Sequence, residues 1–292
     1  MFHDVLVPTD GSAGSEAVLA HATEIARTYG ADVHALFVVD SGSIPGGLDP
    51  DQRDALSAPS ERRGREATIR IANRLEEEEL GAAREVRDGV PYREILDYAD
   101  EQGVDLILMG THGRTGVDRA RLGSTTERVL GRADVPVLSI RLADDGAEPS
   151  PPSDGYDTVV VPTDGSDVAE RAAETALELA ETYGSDVHVV YVVDATVYDL
   201  EDAPRSVIGL LREGGQKATE EVAATARERD LSATTELRRG APAAEVLAAT
   251  SAADADLVAM GTRGRTLDSS RLLGSTTAQV VRRSPVPVLT VR

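Results

Sequence analysis

The chain contains one sequence twice, and this repeat limits the possible folds more than any other feature. VPTDGS begins at Val7 and again at Val161, 154 residues later. VHALFVVD, which ends at Asp40, returns at the same distance as VHVVYVVD, which ends at Asp194. VPVL recurs near the end of each copy, 151 residues apart. Because 292 residues suffice for two average domains, we predict two copies of one domain.

The segment between the copies, LADDGAEPSPPSDGYD, is rich in Pro, Asp, Ser and Gly, a composition typical of flexible linkers. We predict domains at 1–141 and 156–292, joined by a linker at 142–155. The change of spacing from 154 to 151 also predicts that the second copy lacks three residues between about 195 and 215.

Within each copy, short runs of Val and Leu alternate with helical patterns. Over 12–29, apolar residues recur at helical spacing, and Gly30 follows where a left-handed residue would end the helix. Further helices are predicted at about 60–80, at 91–102 and from Ser124. Buried strands that alternate with helices indicate a parallel sheet. The predicted fold is α/β, with two tandem Rossmann-like domains, each a five-stranded parallel sheet of order 3-2-1-4-5 with helices on both faces.

The charge of the chain excludes several classes of partner. The formal net charge of −21 opposes binding to nucleic acids and anionic membranes. Lys217 is the only lysine, and such an excess of carboxylates resembles halophilic proteins, in which concentrated salt screens the repulsion. Cysteine is absent from the sequence, and no signal peptide or membrane-spanning run is recognisable. We therefore expect a soluble, cytoplasmic protein.

The candidate binding site is a glycine loop after the predicted fourth strand. It reads Gly-x-x-Gly from Gly110, then nine residues, then Gly-Ser-Thr from Gly123. Glycines leave main-chain amides open to an anion, and the start of a helix favours a phosphate. In a structural alternative, Gly110 forms a turn, and Ser124 with Glu127 forms a capping box. We favour phosphate binding, because the second copy keeps the glycines and Ser-Thr-Thr while the residues between them change.

Both glycine loops are basic in an acidic chain. Each carries three arginines against one aspartate, a local charge of +2. Guanidinium groups bind phosphate oxygens well, although solvated surface arginines would give the same pattern. The residues concerned are Arg114, Arg119, Arg121 and Asp118 in the first loop, and Arg263, Arg265, Arg271 and Asp268 in the second.

Ligands of an open parallel sheet bind beyond the carboxyl ends of the strands, where the strand order reverses. In the predicted order this crevice separates the first strand from the fourth, so Asp10 faces Met109 and Gly110. A carboxylate repels phosphates, so Asp10 should lie at the far end of the ligand and accept a hydrogen bond from the exocyclic amine of adenine. Alternatively, Asp10 only caps a helix that starts near Ser12. The equivalent residues of the second copy are Asp164, Met260 and Gly261.

PTDGS and the spaced glycine loop together resemble the universal stress protein family in its tandem two-domain form, and the likeness covers both copies. The loop is specific to the ATP-binding branch of that family. The resemblance implies adenine contacts from an aspartate and from the backbone of a second-strand valine, which are Asp10 and Val38, or Asp164 and Val192. It implies ribose and phosphate contacts from Gly110, Gly113, Gly123, Ser124 and Thr125, and from Gly261, Gly264, Gly274, Ser275 and Thr276; Met109 and Met260 complete the candidate site residues.

The family also commonly dimerises by pairing last strands. Here VPVLSIR and VPVLTVR could pair within one chain and cover edges that isolated domains would expose, and a homodimer is the alternative. The two loops differ at His112 and Gly116, which become Arg263 and Leu267, so we predict two sites of unequal affinity.

The sequence offers no convincing general base, P-loop or dinucleotide fingerprint, and its five histidines form no ligand cluster. We therefore expect no metal site of the protein's own and no efficient enzyme. Three hypotheses follow. The protein is a regulatory module that binds ATP or AMP; or a slow ATP hydrolase or phosphotransferase, with Mg²⁺ carried by the phosphates and Ser124 or Ser275 near the terminal phosphate; or a ligand-free scaffold.

Overall fold

The computed structural model describes residues 1–12, 14–43, 47–112, 122–141, 151, 155–196, 205–264 and 272–292. The chain forms two compact units, Met1–Ser150 and Pro151–Arg292. Apart from Pro151 and Gly155, the predicted linker lies outside the described residues. No helix within the described ranges is long and apolar enough to cross a membrane.

The first unit alternates strands and helices from end to end. Its elements are β1 (Asp4–Thr9), α1 (Gly14–Tyr29), β2 (Asp32–Asp40), α2 (Pro50–Glu77), β3 (Ala82–Gly89), α3 (Pro91–Gln102), β4 (Leu106–Gly110), α4 (Ser124–Leu130) and β5 (Val137–Ile140), with a short 3-10 turn at Ser41–Ser43.

The second unit repeats this series. Its elements are β6 (Thr158–Pro162), α5 (Asp167–Tyr183), β7 (Asp186–Asp194), α6 (Arg205–Glu228), β8 (Ala233–Gly240), α7 (Pro242–Ala252), β9 (Leu257–Gly261), α8 (Ser275–Arg283) and β10 (Val288–Val291).

The predicted strand order is confirmed in both units. In the first, β1 pairs in parallel with β2 and β4, β2 with β3, and β4 with β5, which gives the order 3-2-1-4-5. The second unit has the same parallel pairs between β6 and β7, β6 and β9, β7 and β8, and β9 and β10. Because right-handed crossovers connect parallel strands, α1 and α2 cover one face of the first sheet, and α3 packs beside α4 on the other.

The core consists of aliphatic side chains, as a sequence without tryptophan requires. The largest fully buried side chains in the first unit include Leu6, Leu36, Ile107 and Leu108 on the three central strands. The apolar stripe predicted for the first helix is buried at Val18, Ala22 and Ile25. Gly30 then has a φ of +66°, which glycine adopts without strain, and it ends the helix as predicted.

The helix predicted at about 60–80 is wrong at its start, because α2 begins at Pro50. Asp49 caps it: the backbone N–H of Gln52 donates to Asp49 Oδ1 at 2.9 Å, and the backbone N–H of Asp49 donates to Gln52 Oε1 at 3.2 Å. Pro59 lies inside the helix and cannot donate to the carbonyl of Ala55. Since Ala55 is exposed, water can satisfy that carbonyl, and the helix continues through the proline.

Candidate functional site

The candidate crevice of each unit lies where its first and fourth strands end. Val5 and Leu6 of β1 are in register with Leu106 and Ile107 of β4, so Thr9 and Gly110 end their strands at one level. In the second unit, Val159 and Val160 pair with Leu257 and Val258, which sets Thr163 level with Gly261. The residues after β1 and the glycine loop after β4 therefore start from the same edge of the sheet, at the point where the strand order reverses.

The aspartate after the first strand shapes a turn in both units. Asp10 Oδ1 accepts the backbone N–H of Ser12, and Asp164 Oδ1 accepts that of Ser166, both at 3.0 Å. In the second unit the helix cap is Ser166 itself, whose side chain accepts the N–H of Ala169 at 3.3 Å. Asp164 therefore does not cap α5. In the first unit α1 spans Gly14–Tyr29, and capping by Asp10 stays an alternative. Both aspartates are half-buried.

The second strand reaches further than the first, and this leaves the carbonyl of Val38 and the backbone of Val192 beyond the pairing with the first strand. Pairing of β1 with β2 ends at Phe37, and pairing of β6 with β7 ends at Val190. Backbone N–H and C=O groups alternate between the two edges of a strand. Asp32 donates to His3 on the β1 side and Val33 donates to Gly81 on the β3 side, so even-numbered residues of β2 face β1.

The same alternation holds in β7, where Asp186 donates to Asp157 and Val187 to Ser232. Val192 therefore directs both its N–H and its C=O towards the crevice, beyond the end of β6. In the first unit the pairing of Thr9 with Phe37 uses the N–H of Val38, which donates to Thr9 O, so only the C=O of Val38 lies beyond that pairing. The edge of adenine, with a donor and an acceptor side by side, would match the two groups of Val192, and its exocyclic amine would match the carbonyl of Val38.

The same two hydrogen bonds connect the end of the glycine loop to the end of the fourth strand in each unit. The N–H of Gly123 donates to Thr111 O, and that of Gly274 to Thr262 O, each at 2.9 Å. Thr126 Oγ1 donates to Gly110 O at 2.9 Å, and Thr277 Oγ1 donates to Gly261 O at 2.8 Å. Sequence reasoning gave no role to these two threonines, although their repetition as the last residue of Ser-Thr-Thr was a signal.

The capping box predicted as an alternative for Ser124 and Glu127 is wrong. The N-cap of α4 is Gly123, and Ser124 is the first helical residue. The N–H of Glu127 donates to Gly123 O at 2.9 Å, within the helix ladder. Gly274 and Ser275 have the same positions on α8. Ser124 and Ser275 are exposed, and the next residues, Thr125 and Thr276, are half-buried. The first amides of a helix have no partner within the helix, so those of α4 and α8 can bind an anion.

The second unit brings its loop into contact with its aspartate. Gly264 lies so close to Asp164 that a Cβ on the glycine would be 2.4 Å from Asp164 Oδ2. A Cβ on Gly261 would lie 2.9 Å from Val168 Cγ1, whereas the nearest atom to a Cβ on Gly110 would be His112 O at 3.4 Å. The side chains of Met109 and Met260 are 5% exposed, so only their backbone borders the crevice.

Several predicted residues lie outside the described part of the chain. They are Gly113, Gly116, Leu267 and the arginines and aspartates of the two loops other than Arg263. Arg263 itself does not extend freely from the loop. Its Nε and Nη2 both donate to Leu272 O at 3.3 Å, so it joins the two described ends of the second loop.

One wall of the first crevice is formed by α2, which sequence reasoning did not include. A Cβ on Gly11, the residue after Asp10, would lie 3.6 Å from both Ala67 Cβ and Arg63 Cγ. In the second unit, Ala218 Cβ occupies the position of Ala67, at 3.4 Å from a Cβ on Gly165. Arg63 therefore borders the first crevice at the end marked by Asp10.

A comparison with known protein families agrees with the division of the chain into two similar units. The model of the universal stress protein family matches residues 1–141 and 155–292, which is nearly the whole chain in two copies. The chain belongs to the universal stress protein family.

Two relatives illustrate the one-domain and two-domain forms of universal stress proteins. A universal stress protein of Methanocaldococcus jannaschii is 36% identical over 141 residues, a match that covers 48% of this chain and 83% of that protein. A universal stress protein of Mycobacterium tuberculosis is 26% identical over 299 residues, covering 99% of this chain and 97% of that protein. The crystal structure of a universal stress protein from Archaeoglobus fulgidus has the same fold, with a TM-score of 0.74 at 24% identity, and covers 99% of this chain and 96% of that one.

The strand histidines of this universal stress protein lie away from both crevices, near the opposite ends of the strands. His34 is buried, with Nδ1 at 2.9 Å from Tyr98 Oη and Nε2 at 3.1 Å from Asp4 Oδ1. Burial raises the pKa of Tyr98. His188 instead contacts Thr234 Oγ1 at 2.8 Å and Glu236 Oε2 at 3.0 Å.

Glu236 also lies 3.0 Å from Arg238 Nε. Burial raises the pKa of Glu236, but the contacts of its carboxylate with Arg238 and His188 outweigh burial, and the pKa lies below its usual value. Among the residues that the structure describes, no group of three or more His, Asp or Glu could hold a metal ion.

Proposed function

We propose that each unit of this universal stress protein binds one adenine nucleotide, ATP or AMP, in the crevice between its first and fourth strands. The observation that carries the proposal is a convergence found in both units. An aspartate, an open length of second-strand backbone and the amides at a helix start all border the same crevice. The first two groups suit a purine edge, and the third suits phosphates.

The residues divide between the two ends of the ligand. Asp10 and the backbone of Val38 would bind adenine in the first unit, and Asp164 and Val192 in the second. The ribose and phosphates would contact the small residues at both ends of each loop, where the glycines let amides approach an anion and the Ser and Thr hydroxyls can donate to it. These are Gly110, Gly113, Gly123, Ser124 and Thr125, and Gly261, Gly264, Gly274, Ser275 and Thr276. Mg²⁺ would be held by the phosphates.

The proposed role is regulatory. The phosphates of a bound nucleotide would contact both the glycine loop and the start of α4 or α8, and would favour one conformation of the two. The surface around the loop would then differ between the free and the occupied protein. That difference is what a partner could recognise in a stress response.

Mass spectrometry of small molecules released from the purified protein tests the proposal first, and calorimetry with ATP and AMP tests it second. We expect adenine nucleotide in the released fraction, or saturable binding with two sites per chain. An empty protein that also fails to bind either nucleotide in the calorimeter would overturn the proposed function.

A slow ATP hydrolase or phosphotransferase is the second candidate, because Ser124 and Ser275 are exposed at the first helical position beside the loop. Phosphate release from ATP would distinguish the two roles. Turnover that persists through many cycles and disappears when both serines become alanine would favour the enzyme over the regulatory module.

We also propose that the last strands, β5 and β10, pair with each other within one chain or with a second copy. Each is the final strand of its unit, and an uncovered final strand is a site of aggregation. If this pairing were the whole function, the protein would be a ligand-free scaffold. Sedimentation at several concentrations separates an internal pair, which stays monomeric, from a homodimer.

A halophilic, cytoplasmic setting is proposed from the charge. With a net charge of −21 and a single lysine, the chain should repel itself in dilute buffer and avoid nucleic acids and membranes. The unfolding temperature should therefore rise as KCl approaches 1 M, where the Debye length is about 3 Å.

A further inference from the structure

The first crevice contains two buried nitrogen atoms that no described protein group satisfies. They are Nε of Arg63 and Nε2 of His112. Buried polar atoms almost always have a hydrogen-bond partner, and a native exception calls for an explanation such as an absent ligand. Both atoms belong to residues that border the crevice, so a ligand of this site is the explanation that covers both.

Arg63 lies at the end of the first crevice where adenine is proposed to bind. Its Cγ would be 3.6 Å from a Cβ on Gly11, the residue that follows Asp10. Asp10 can only accept hydrogen bonds when ionised, whereas adenine has ring nitrogens that need a donor beside its exocyclic amine. A guanidinium N–H next to an aspartate therefore complements the purine better than the aspartate alone.

His112 lies at the end of the first crevice that the glycine loop borders. Its carbonyl oxygen would be 3.4 Å from a Cβ on Gly110, and its Cα would be 3.8 Å from a Cβ on Gly123. His112 therefore lies between Gly110 and Gly123, where the glycine loop begins and ends. Its Nδ1 is 2.9 Å from Thr111 Oγ1. When the threonine donates to Nδ1, the imidazole carries its proton on Nε2, which then requires an acceptor such as a ribose or phosphate oxygen.

The second crevice has neither group. Gly64 and Gly215 are equivalent, because a Cβ on each would strike the same ring position of Phe37 and Tyr191, at 2.5 and 2.6 Å. The residue before Gly215 is Gly214, so the second unit has no counterpart of the Arg63 side chain. Arg263 replaces His112, and two of its five N–H donors are used by Leu272 O.

We propose that Arg63 and His112 contact the nucleotide in the first crevice, Arg63 at a purine ring nitrogen and His112 at a ribose or phosphate oxygen, and that the first crevice binds more tightly than the second for this reason. The inference rests on the proposed function and adds to it the residues that make the two sites unequal.

Calorimetry with ATP and with AMP on the full-length protein tests the inference, using Arg63→Met and His112→Phe. Methionine keeps much of the apolar stem and phenylalanine keeps the ring, and both remove the donor. Each substitution should weaken the tighter of two binding classes by about five- to tenfold, the usual contribution of one hydrogen bond. Arg63→Met should weaken AMP and ATP by the same factor, because the base is common to both.

Gly214→Arg is the matched variant of the second unit. A Cβ on Gly214 has no atom within 4 Å, so the new side chain starts from an uncrowded position. It should tighten the weaker class. The urea midpoint of the ligand-free protein separates contact from structure, since Arg63→Met removes an unsatisfied donor and should not lower that midpoint.

The possible results distinguish failure of this inference from failure of the proposed function. Affinities within twofold of the original in both variants would overturn the inference while leaving the proposed function intact. A loss of affinity accompanied by a lower urea midpoint would make the residues structural and overturn it as well. An effect of one substitution alone removes the other residue from the proposal. If the unaltered protein binds neither nucleotide, the proposed function itself fails.

Discussion

The two crevices are built on one framework but differ in the side chains that border them. In both, a threonine hydroxyl accepts the N–H of the glycine two residues later at 3.1 Å, in Thr9 with Gly11 and in Thr163 with Gly165. The bonds from Thr126 and Thr277 to the fourth strand also agree within 0.1 Å, at 2.9 and 2.8 Å. The difference lies in Arg63 and His112, which the second unit replaces. The hydrogen bonds at the strand and helix ends are the same in the two units, whereas the side chains at these two positions differ.

Clearance around the glycines also differs. Gly261 is buried and Gly110 is half-buried, although both end the fourth strand of their unit. Gly264 touches Asp164 directly. The end of the fourth strand is therefore more tightly packed in the second unit than in the first, and it should tolerate added atoms less well.

The largest effect is expected from Gly264→Ala, because the methyl group would displace the carboxylate of Asp164, which the bond from Ser166 holds in place. Adenine nucleotide binding at the second site should weaken about tenfold or more, equivalent to roughly 1.4 kcal/mol or more. Calorimetry with ATP measures this. Gly209→Ala is the matched control, because its Cβ would meet nothing within 4 Å, and it should leave both affinities unchanged. Equal binding in Gly264→Ala and the control would show that Asp164 has no part in the second site.

Gly261→Ala and Gly110→Ala compare the packing of the two strand ends. The first should destabilise its unit by about 1–3 kcal/mol, because the added methyl group meets both the side chain and the backbone of Val168. Gly110→Ala should cost less than about 1 kcal/mol, since its nearest contact is an ordinary 3.4 Å. Urea unfolding followed by circular dichroism provides the measurement. If the two variants unfold at the same urea concentration, the proposed difference in packing is wrong.

Thr277→Val and Thr126→Val remove one hydrogen bond each from the shared framework while keeping the shape of the side chain. Each should destabilise its unit by about 1 kcal/mol, with the larger loss in Thr277→Val because its bond is buried and that of Thr126 is partly exposed. The same urea experiment checks this. A gain in stability for either valine would mean that the hydroxyl does not hold the helix start to the strand.

The smallest effect is expected away from the crevices, at Glu236. Its pKa is lower in the folded protein than in the unfolded chain, so its ionised form stabilises the fold at neutral pH, and this contribution disappears as the pH falls through the folded pKa. Glu236→Gln should therefore be less stable than the original protein at pH 7, and the difference should shrink on acidification. Urea midpoints at a series of pH values measure the trend. A difference that stays constant with pH would assign the effect to packing instead of charge.

Local patterns in the sequence were enough for most of the framework. Pro91 and Gly103 bracket a helix whose predicted range, 91–102, is the range observed, because proline fixes the first turn and glycine ends the last. The repeat and the alternation of strands with helices gave the strand order, since parallel strands with short crossovers allow few arrangements. The start of α2 was missed because Pro59 resembles a helix boundary when its surroundings are unknown.

The sequence by itself determined that two copies of one parallel α/β unit exist and that each carries an aspartate and a glycine loop at one sheet edge. Only the tertiary structure decided that Gly123 rather than Ser124 caps its helix, that the carbonyl of Val38 lies beyond the pairing of β1 with β2, and that Arg63 borders Gly11. The physical reason is the separation along the sequence of the residues that interact. Turns and helix ends depend on neighbouring residues, and a repeat is visible in the sequence itself. A crevice wall depends on which side chains far apart in the chain are brought within a few ångströms of each other.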